Sequence, residues 1–113
     1  MNKLKGIGID VVDVSRFEKF NSKTKDNFLK KIFFEKELIY CFSFKKSAPH
    51  LAGFFSAKEA VSKALGIKLF PFAEIEIRHG KDGEPIAFHK GKKLSIKISI
   101  THTDTIAAAI AVA

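Results

Sequence analysis

A single α+β domain is the fold class this sequence predicts, with one N-terminal strand, a helical middle holding one long helix, then a mostly antiparallel sheet. Three observations carry that expectation. Apolar residues recur at helical spacing from Pro49 to Leu65, and the run stops at Gly66. Leu94, Ile96, Ile98 and Ile100 alternate with Ser95, Lys97, Ser99 and Thr101, the period of a strand with one wet face. The chain has 113 residues, enough for one core and too few for a second, so residues 1–113 are expected to form one domain. A hydrophobic fraction of 46% with 28% charged residues excludes a disordered chain.

The elements follow in order. Ile7, Ile9 and Val11 are β-branched residues set among Gly6, Gly8 and Asp10, which predicts a strand from Leu4 that ends near Asp10 to Asp13. Ser15 is the expected N-cap of a short basic helix, with Phe17 and Phe20 three apart. Residues 24–44 read as helical, with Phe28, Ile32, Leu38, Ile39 and Phe42 apolar between lysines. Pro49 opens the longest helix, since a proline fits the first turn, where its missing N–H is not needed. Beyond Pro71 the pattern changes to strands: Ala73 to Arg78 alternates, Asp82-Gly83 signals a hairpin turn, and Pro85 to His89 returns. After a turn at Thr101 to Thr105, Ile106 to Ala113 is a run of small apolar residues expected to be a fully buried strand. Most of the 12 phenylalanines should fill the core, with some left to meet another subunit.

A formal charge of +8, from 20 basic and 12 acidic residues, calls for an anionic partner. Nucleic acid, a membrane surface, an acidic protein and a phosphorylated metabolite all qualify. Arginine is scarce, Arg16 and Arg78 only, and no nucleic-acid-binding motif is present. A basic nucleic-acid-binding domain is therefore the alternative class. It predicts binding with a steep salt dependence. Cys41 is the single cysteine, which excludes an intramolecular disulfide and a cysteine metal cluster and suits a reducing cytoplasm. Met1 to Lys5 leads into glycines and an aspartate rather than a secretory apolar stretch, and no run approaches the ~18 apolar residues of a membrane span. A cytoplasmic protein with no membrane partner is expected.

The long helix carries a polar stripe. Ala52, Ser56, Glu59 and Lys63 follow the spacing i, i+4, i+7, i+11, so Glu59 and Lys63 are neighbours on one side. Alone, they make an ion pair on a solvated face, worth a few tenths of a kcal/mol. Beside Asp10 they read differently. A carboxylate at a strand end and another on a helix suit Mg²⁺, which takes one or two protein carboxylates and completes its shell with water and phosphate oxygens. Lys63, one turn beyond Glu59, could bind the same phosphates as a point charge. Spacing alone does not bring Asp10 and Glu59 together. His102, in Ser99-Ile100-Thr101-His102-Thr103, is either a turn histidine among backbone-capping threonines or a phosphate or ribose contact. His50, His79 and His89 have no metal-cluster spacing and read as surface residues. Walker loop, dinucleotide fingerprint and nucleophile elbow are all absent.

Taken together, three blocks resemble the holo-acyl-carrier-protein synthase family of phosphopantetheinyl transferases. They are Gly6-Ile7-Gly8-Ile9-Asp10 with Val14-Ser15-Arg16-Phe17, the helix from Leu51 through Lys58-Glu59-Ala60 and Lys63 to Gly66, and Ser99 to Thr103 before the small-residue strand. The Glu74 to Ile77 strand and the Gly83-Glu84-Pro85 turn also match, so the likeness spans nearly the whole chain. The resemblance implies a Mg²⁺-dependent transfer of phosphopantetheine from coenzyme A to a carrier-protein serine, serving fatty acid biosynthesis. By position, Asp10 and Glu59 match the metal-binding carboxylates. Lys63 matches a catalytic lysine at the phosphates, and Lys58, His102 and Thr103 fall where coenzyme A is contacted. The resemblance further implies a homotrimer with active sites between subunits. It also implies docking of an acidic acyl carrier protein on Arg16, with Lys19, Lys23 and Lys25 steering it. One position departs. Many family members have an arginine before the phenylalanine of the long helix; here Phe54 stands there. Either Lys58 compensates or coenzyme A binds more weakly, and a catalytically inactive relative that binds coenzyme A or carrier is the second alternative.

Overall fold

The computed structural model describes residues 4–24, 26–67 and 74–113. Strand β1 (Ile7–Asp13) leads into a 3-10 turn (Val14–Phe17), then helices α1 (Asn27–Ile32), α2 (Glu35–Phe42) and α3 (Ala48–Leu65). Five strands follow: β2 (Ile75–His79), β3 (Pro85–His89), β4 (Lys92–Lys93), β5 (Lys97–His102) and β6 (Ile106–Val112). They form two antiparallel sheets of three strands, in the orders β1-β6-β5 and β2-β3-β4. The α+β architecture expected from the sequence is the one observed. Among the described residues, no helix is long and apolar enough to cross a membrane.

Helix α3 is the axis of the molecule, and the first sheet rests directly on it. That contact is set by small residues. A Cβ added to Gly8 would overlap the carbonyl oxygen of Ala60, and one added to Gly6 would overlap that of Ala64. Only glycine lets β1 approach the helix backbone this closely. On the central strand the same face carries Ala107, Ala109 and Ala111, all buried. Gly66, with φ of 69°, ends α3 in the left-handed conformation, and its N–H donates to Lys63 O. Phe17 sits beneath the 3-10 turn with Phe20, Phe28, Phe33 and Phe55 around it, at centroid distances of 5.6 to 6.4 Å. These rings fix the turn and α1 against α3.

Several local expectations are corrected. The 24–44 segment is two helices, because Phe33 is extended (φ −117°, ψ 142°) and each helix has its own cap. Asp26 Oδ1 accepts from Phe28 N at 2.7 Å, and Glu37 Oε1 accepts from Phe34 N at 2.8 Å. Ser15 lies inside the 3-10 turn, and Asp13 holds the cap position without a side-chain bond. Ala73 falls outside the described residues, and β2 begins at Ile75. The Asp82-Gly83 turn forms as expected, with Gly83 at φ 84°. Strand β5 starts at Lys97, since Leu94 N instead donates to Ala87 O at 2.9 Å and joins the second sheet's edge.

Strand β6 is not buried on both faces. Ala107, Ala109 and Ala111 face α3, while Ile106 and Ile110 point outward and are 44% and 36% exposed. On β1, Ile7, Ile9 and Val11 are each more than 60% exposed on the same outer face, with Ile9 paired to Ile110 across the ladder. Strands β1 and β6 thus present a continuous apolar surface away from α3, bordered on β5 by the exposed Lys97, Ser99 and Thr101.

Candidate functional site

Asp10 projects from the α3-facing side of β1, between Gly8 and Val12, and Ala109 is its partner on β6. Because Gly8 lets the strand lie on the helix, Asp10 comes within range of Lys63 and Glu59, more than forty residues later. Lys63 Nζ donates to Ile9 O at 2.9 Å and lies 3.5 Å from Asp10 Oδ1. The lysine side chain remains 53% exposed, which leaves part of the ammonium open to solvent. Burial raises the Asp10 carboxyl above its ordinary value, and Lys63 and Arg16 oppose that shift. Burial, then the negative charge of Asp10, raises the Glu59 carboxyl, again against Lys63 and Arg16. Two carboxylates that repel each other and two cations beside them therefore share one site.

That donor set suits Mg²⁺. It is all oxygen and half-buried, and a cation between the carboxylates would relieve the repulsion that now raises Glu59. Among the described residues no group of three or more His, Cys, Asp or Glu side chains could enclose a metal, so water and phosphate oxygens would complete the shell. Arg16 lies over the ring of Phe55, its guanidinium carbon 5.1 Å from the centroid, which holds it at the rim of this site. Lys19 lies over Phe20 at 5.2 Å, and Lys23 is exposed in the following turn.

Lys58 does not belong to this site. It is fully buried, and its Nζ donates to Glu37 Oε1 at 2.6 Å, Ile32 O at 2.8 Å and Ile75 O at 2.8 Å. Three N–H donors meet three acceptors, which leaves none for a phosphate. Glu37 in turn accepts from Ile77 N at 2.7 Å. Burial pushes the Glu37 carboxyl up and the Lys58 amine down, and each partner's charge opposes the other's shift. Cys41 is buried nearby, and burial holds its thiol well above the ordinary range.

A second feature lies across α3. Tyr40 of α2 stacks on Phe54 at 5.5 Å with an interplanar angle of 4°, and His79 of β2 stands 4.4 Å from Tyr40. Beyond Phe54, His50 stacks on Phe44 at 3.6 Å and meets His102 of β5 at 5.2 Å. Tyr40, His50, Phe54, His79 and His102 line a cleft of about 230 Å³ that adjoins a second of about 300 Å³, bordered by Lys36, Glu76 and Arg78. Thr103 lies outside the cleft's lining, and its Oγ1 accepts from Ile106 N at 3.1 Å and Thr105 N at 3.2 Å, pinning the β5–β6 turn.

The family model described as the 4'-phosphopantetheinyl transferase superfamily matches residues 6–113. The chain belongs to that superfamily. A holo-[acyl-carrier-protein] synthase of Thermoanaerobacter sp. (strain X514) is 42% identical over 119 residues, covering 95% of this chain and 85% of the relative. One from Thermodesulfovibrio yellowstonii is 41% identical over 96% of this chain and 97% of its own. Among solved structures, the holo-(acyl-carrier-protein) synthase of Bacillus anthracis, in complex with CoA (3',5'-ADP), is 33% identical with a TM-score of 0.77. It matches 96% of this chain and 95% of its own. The Helicobacter pylori synthase, in complex with coenzyme A, is 32% identical with a TM-score of 0.78, over 95% and 99% of the two chains.

As a phosphopantetheinyl transferase, the protein divides the residues singled out in its sequence into three groups. Asp10, Glu59, Lys63 and Arg16 converge where β1 meets α3. His102 stands apart in the aromatic cleft, and Lys58 is built into the core. His79 is exposed, as expected of a surface residue, whereas His50 is half-buried; both line the cleft. The one signal for His50 was its i, i+4 spacing from Phe54 on the long helix, and no local pattern marks His79.

Proposed function

We propose that this transferase moves the 4'-phosphopantetheine group of coenzyme A onto a serine of an apo acyl carrier protein, in a Mg²⁺-dependent reaction that supports fatty acid biosynthesis. The observation that carries this reading is the convergence of Asp10, Glu59 and Lys63, made possible by a strand whose glycine admits the helix backbone. Asp10 and Glu59 would hold Mg²⁺, which when bound supplies positive charge to the pyrophosphate of the donor. Lys63, anchored by the Ile9 carbonyl, directs its open face to the same phosphate oxygens as a fixed point charge. The serine hydroxyl attacks the β-phosphate and gives up its proton to the surrounding water, the bond from that phosphorus to the bridging oxygen breaks, and adenosine 3',5'-bisphosphate leaves with the electron pair. Arg16, at the rim, is placed to bind an acidic carrier and bring its serine over the site, with Lys19 and Lys23 steering it. The Bacillus anthracis and Helicobacter pylori synthases, whose described complexes hold coenzyme A or a part of it, support coenzyme A as donor.

A homotrimer with active sites between subunits fits two features of the chain. The outer apolar face of the first sheet, with Ile7, Ile9, Val11, Ile106 and Ile110, suits a second copy. Around α3, His50 and Phe54 lie about 180° and about 140° from Glu59 at ~100° per residue. The carboxylates and the aromatic cleft of one protomer thus face apart, and a donor that uses both features must take them from two copies. A buried, unpaired Cys41 accords with a reducing cytoplasm. The test is intact mass spectrometry of an apo acyl carrier protein mixed with the protein, coenzyme A and Mg²⁺. A gain of one phosphopantetheine, abolished by EDTA, is expected; no gain across several carriers contradicts the proposal.

A further inference from the structure

Where an arginine would provide a permanent cation, this chain has Phe54, and Lys58 is sealed away in the core. The cleft beside Phe54 nevertheless contains three imidazoles. His50 is held between Phe44 and His102, and His79 lies against Tyr40 and Phe54, with centroid separations of 3.6 to 5.6 Å. His79 and His102 are solvent-exposed, so a ligand can reach them. We propose that His50 and His79, set beside His102 in this cleft, replace a fixed cation in recognising the phosphorylated nucleotide end of the donor, so that donor affinity rises as His50 and His79 take up protons. The inference rests on the coenzyme A reading above and extends it to how this chain selects its donor.

The surroundings favour that assignment. The other titratable group lining this part of the cleft is Tyr40 of α2. In the adjoining part, Arg78 of β2 is paired with Glu76 at 2.9 Å and Glu37 with Lys58, so their charges largely cancel there. Lys36 of α2 is exposed at that edge, the β2–β3 turn carries Asp82 and Glu84, and Lys45 and Lys46 follow Phe44. Burial lowers the His50 imidazole, His102 lowers it further, and burial lowers His79, so both are largely neutral in the empty cleft near neutral pH. An arriving dianion reverses that preference and draws protons in with it. Tyr40, 36% exposed, keeps part of its ring open for a planar base to stack upon.

The test is calorimetric titration of coenzyme A into wild-type protein, His50→Gln/His79→Gln and Phe54→Arg at about pH 6.5 and about pH 8.0. The phosphate monoester of the donor gains charge as pH rises, with its second pKa near ~6, so its own titration favours the higher pH. Wild type is expected to bind about fivefold or more tightly at the lower pH, against that trend. The double variant should change by less than about twofold, and Phe54→Arg should bind more tightly at the higher pH with a flatter profile. Undiminished wild-type binding with no pH dependence overturns the histidine assignment and leaves the transfer reading intact. A double variant as pH-dependent as wild type overturns it equally. No binding of coenzyme A by folded wild type at either pH overturns the transfer reading itself.

Discussion

Replacing Lys58 with methionine tests the difference between a core residue and a phosphate ligand. The substitution keeps the length and apolar stem of the side chain and removes its charge, stranding the Glu37 carboxylate beneath α3 with only Phe34 N and Ile77 N as partners. Breaking a fully buried pair in this way costs about 3–5 kcal/mol, because the remaining charge has neither water nor a counterion. The carbonyls of Ile32 and Ile75 lose a donor as well. A domain of this size has roughly 5–15 kcal/mol in total, so about a fifth or more of its stability is at stake. The corresponding fall in melting temperature is about 15 °C or more at a few degrees per kcal/mol. Urea denaturation should show a lower midpoint with an unchanged slope. Adding Glu37→Gln removes the stranded charge but keeps an amide oxygen for the backbone donors, so Lys58→Met/Glu37→Gln should recover at least about half of the loss. If Lys58→Met unfolds within about 1 kcal/mol of wild type yet loses affinity for coenzyme A, Lys58 is a ligand and the core assignment is wrong.

Three further outcomes follow from the same contacts. Gly8→Ala drives a methyl into the Ala60 carbonyl and pushes β1 off α3, so transfer should fall by about 100-fold while the fold survives; near-normal turnover would show that the close approach does not set the site. In EDTA, Glu59→Gln should be more stable than wild type at about pH 7.5, since burial and Asp10 raise the folded carboxyl above its ordinary 4.5 and make its ionised form costly. That cost is full above the folded pKa and fades as pH falls toward the unfolded value, so the two melting curves should converge in acid; a variant less stable at the higher pH contradicts the repulsion. Ile9→Lys places a charge on the outer sheet face and should reduce the assembly seen by light scattering to a monomer, whereas an unchanged mass would show that this face is not the subunit contact.

The parts of the fold that could be read from the sequence are those whose periodicity and stop signals agree. Helix α3 begins with Pro49 in its first turn and ends at Gly66, and Asp82-Gly83 makes the turn its residues require. The break between α1 and α2 was hidden, because Phe33 and Phe34 continue an apolar pattern while the capping oxygens of Asp26 and Glu37 decide the boundary. Lys58 was ambiguous for a related reason. Its angle places it at the apolar face, but its partner is 21 residues away on another helix, a pairing no local pattern records. The alanines of β6 read as a strand buried on both sides, yet one of its faces lacks a covering layer within the protomer. Asp10 and Glu59 could be named from residue type and resemblance, whereas their meeting depends on the Gly8 contact. The cleft histidines come from a helix and two strands, so only the folded chain assembles them.

The most direct test of the central claim is the mass of an apo acyl carrier protein after incubation with coenzyme A, saturating Mg²⁺ and wild type, Asp10→Ala or Glu59→Ala. Wild type should add one phosphopantetheine, and both folded variants should add none in the same time. Near-normal transfer by either variant would contradict the assignment of Asp10 and Glu59 as the carboxylates on which the reaction depends.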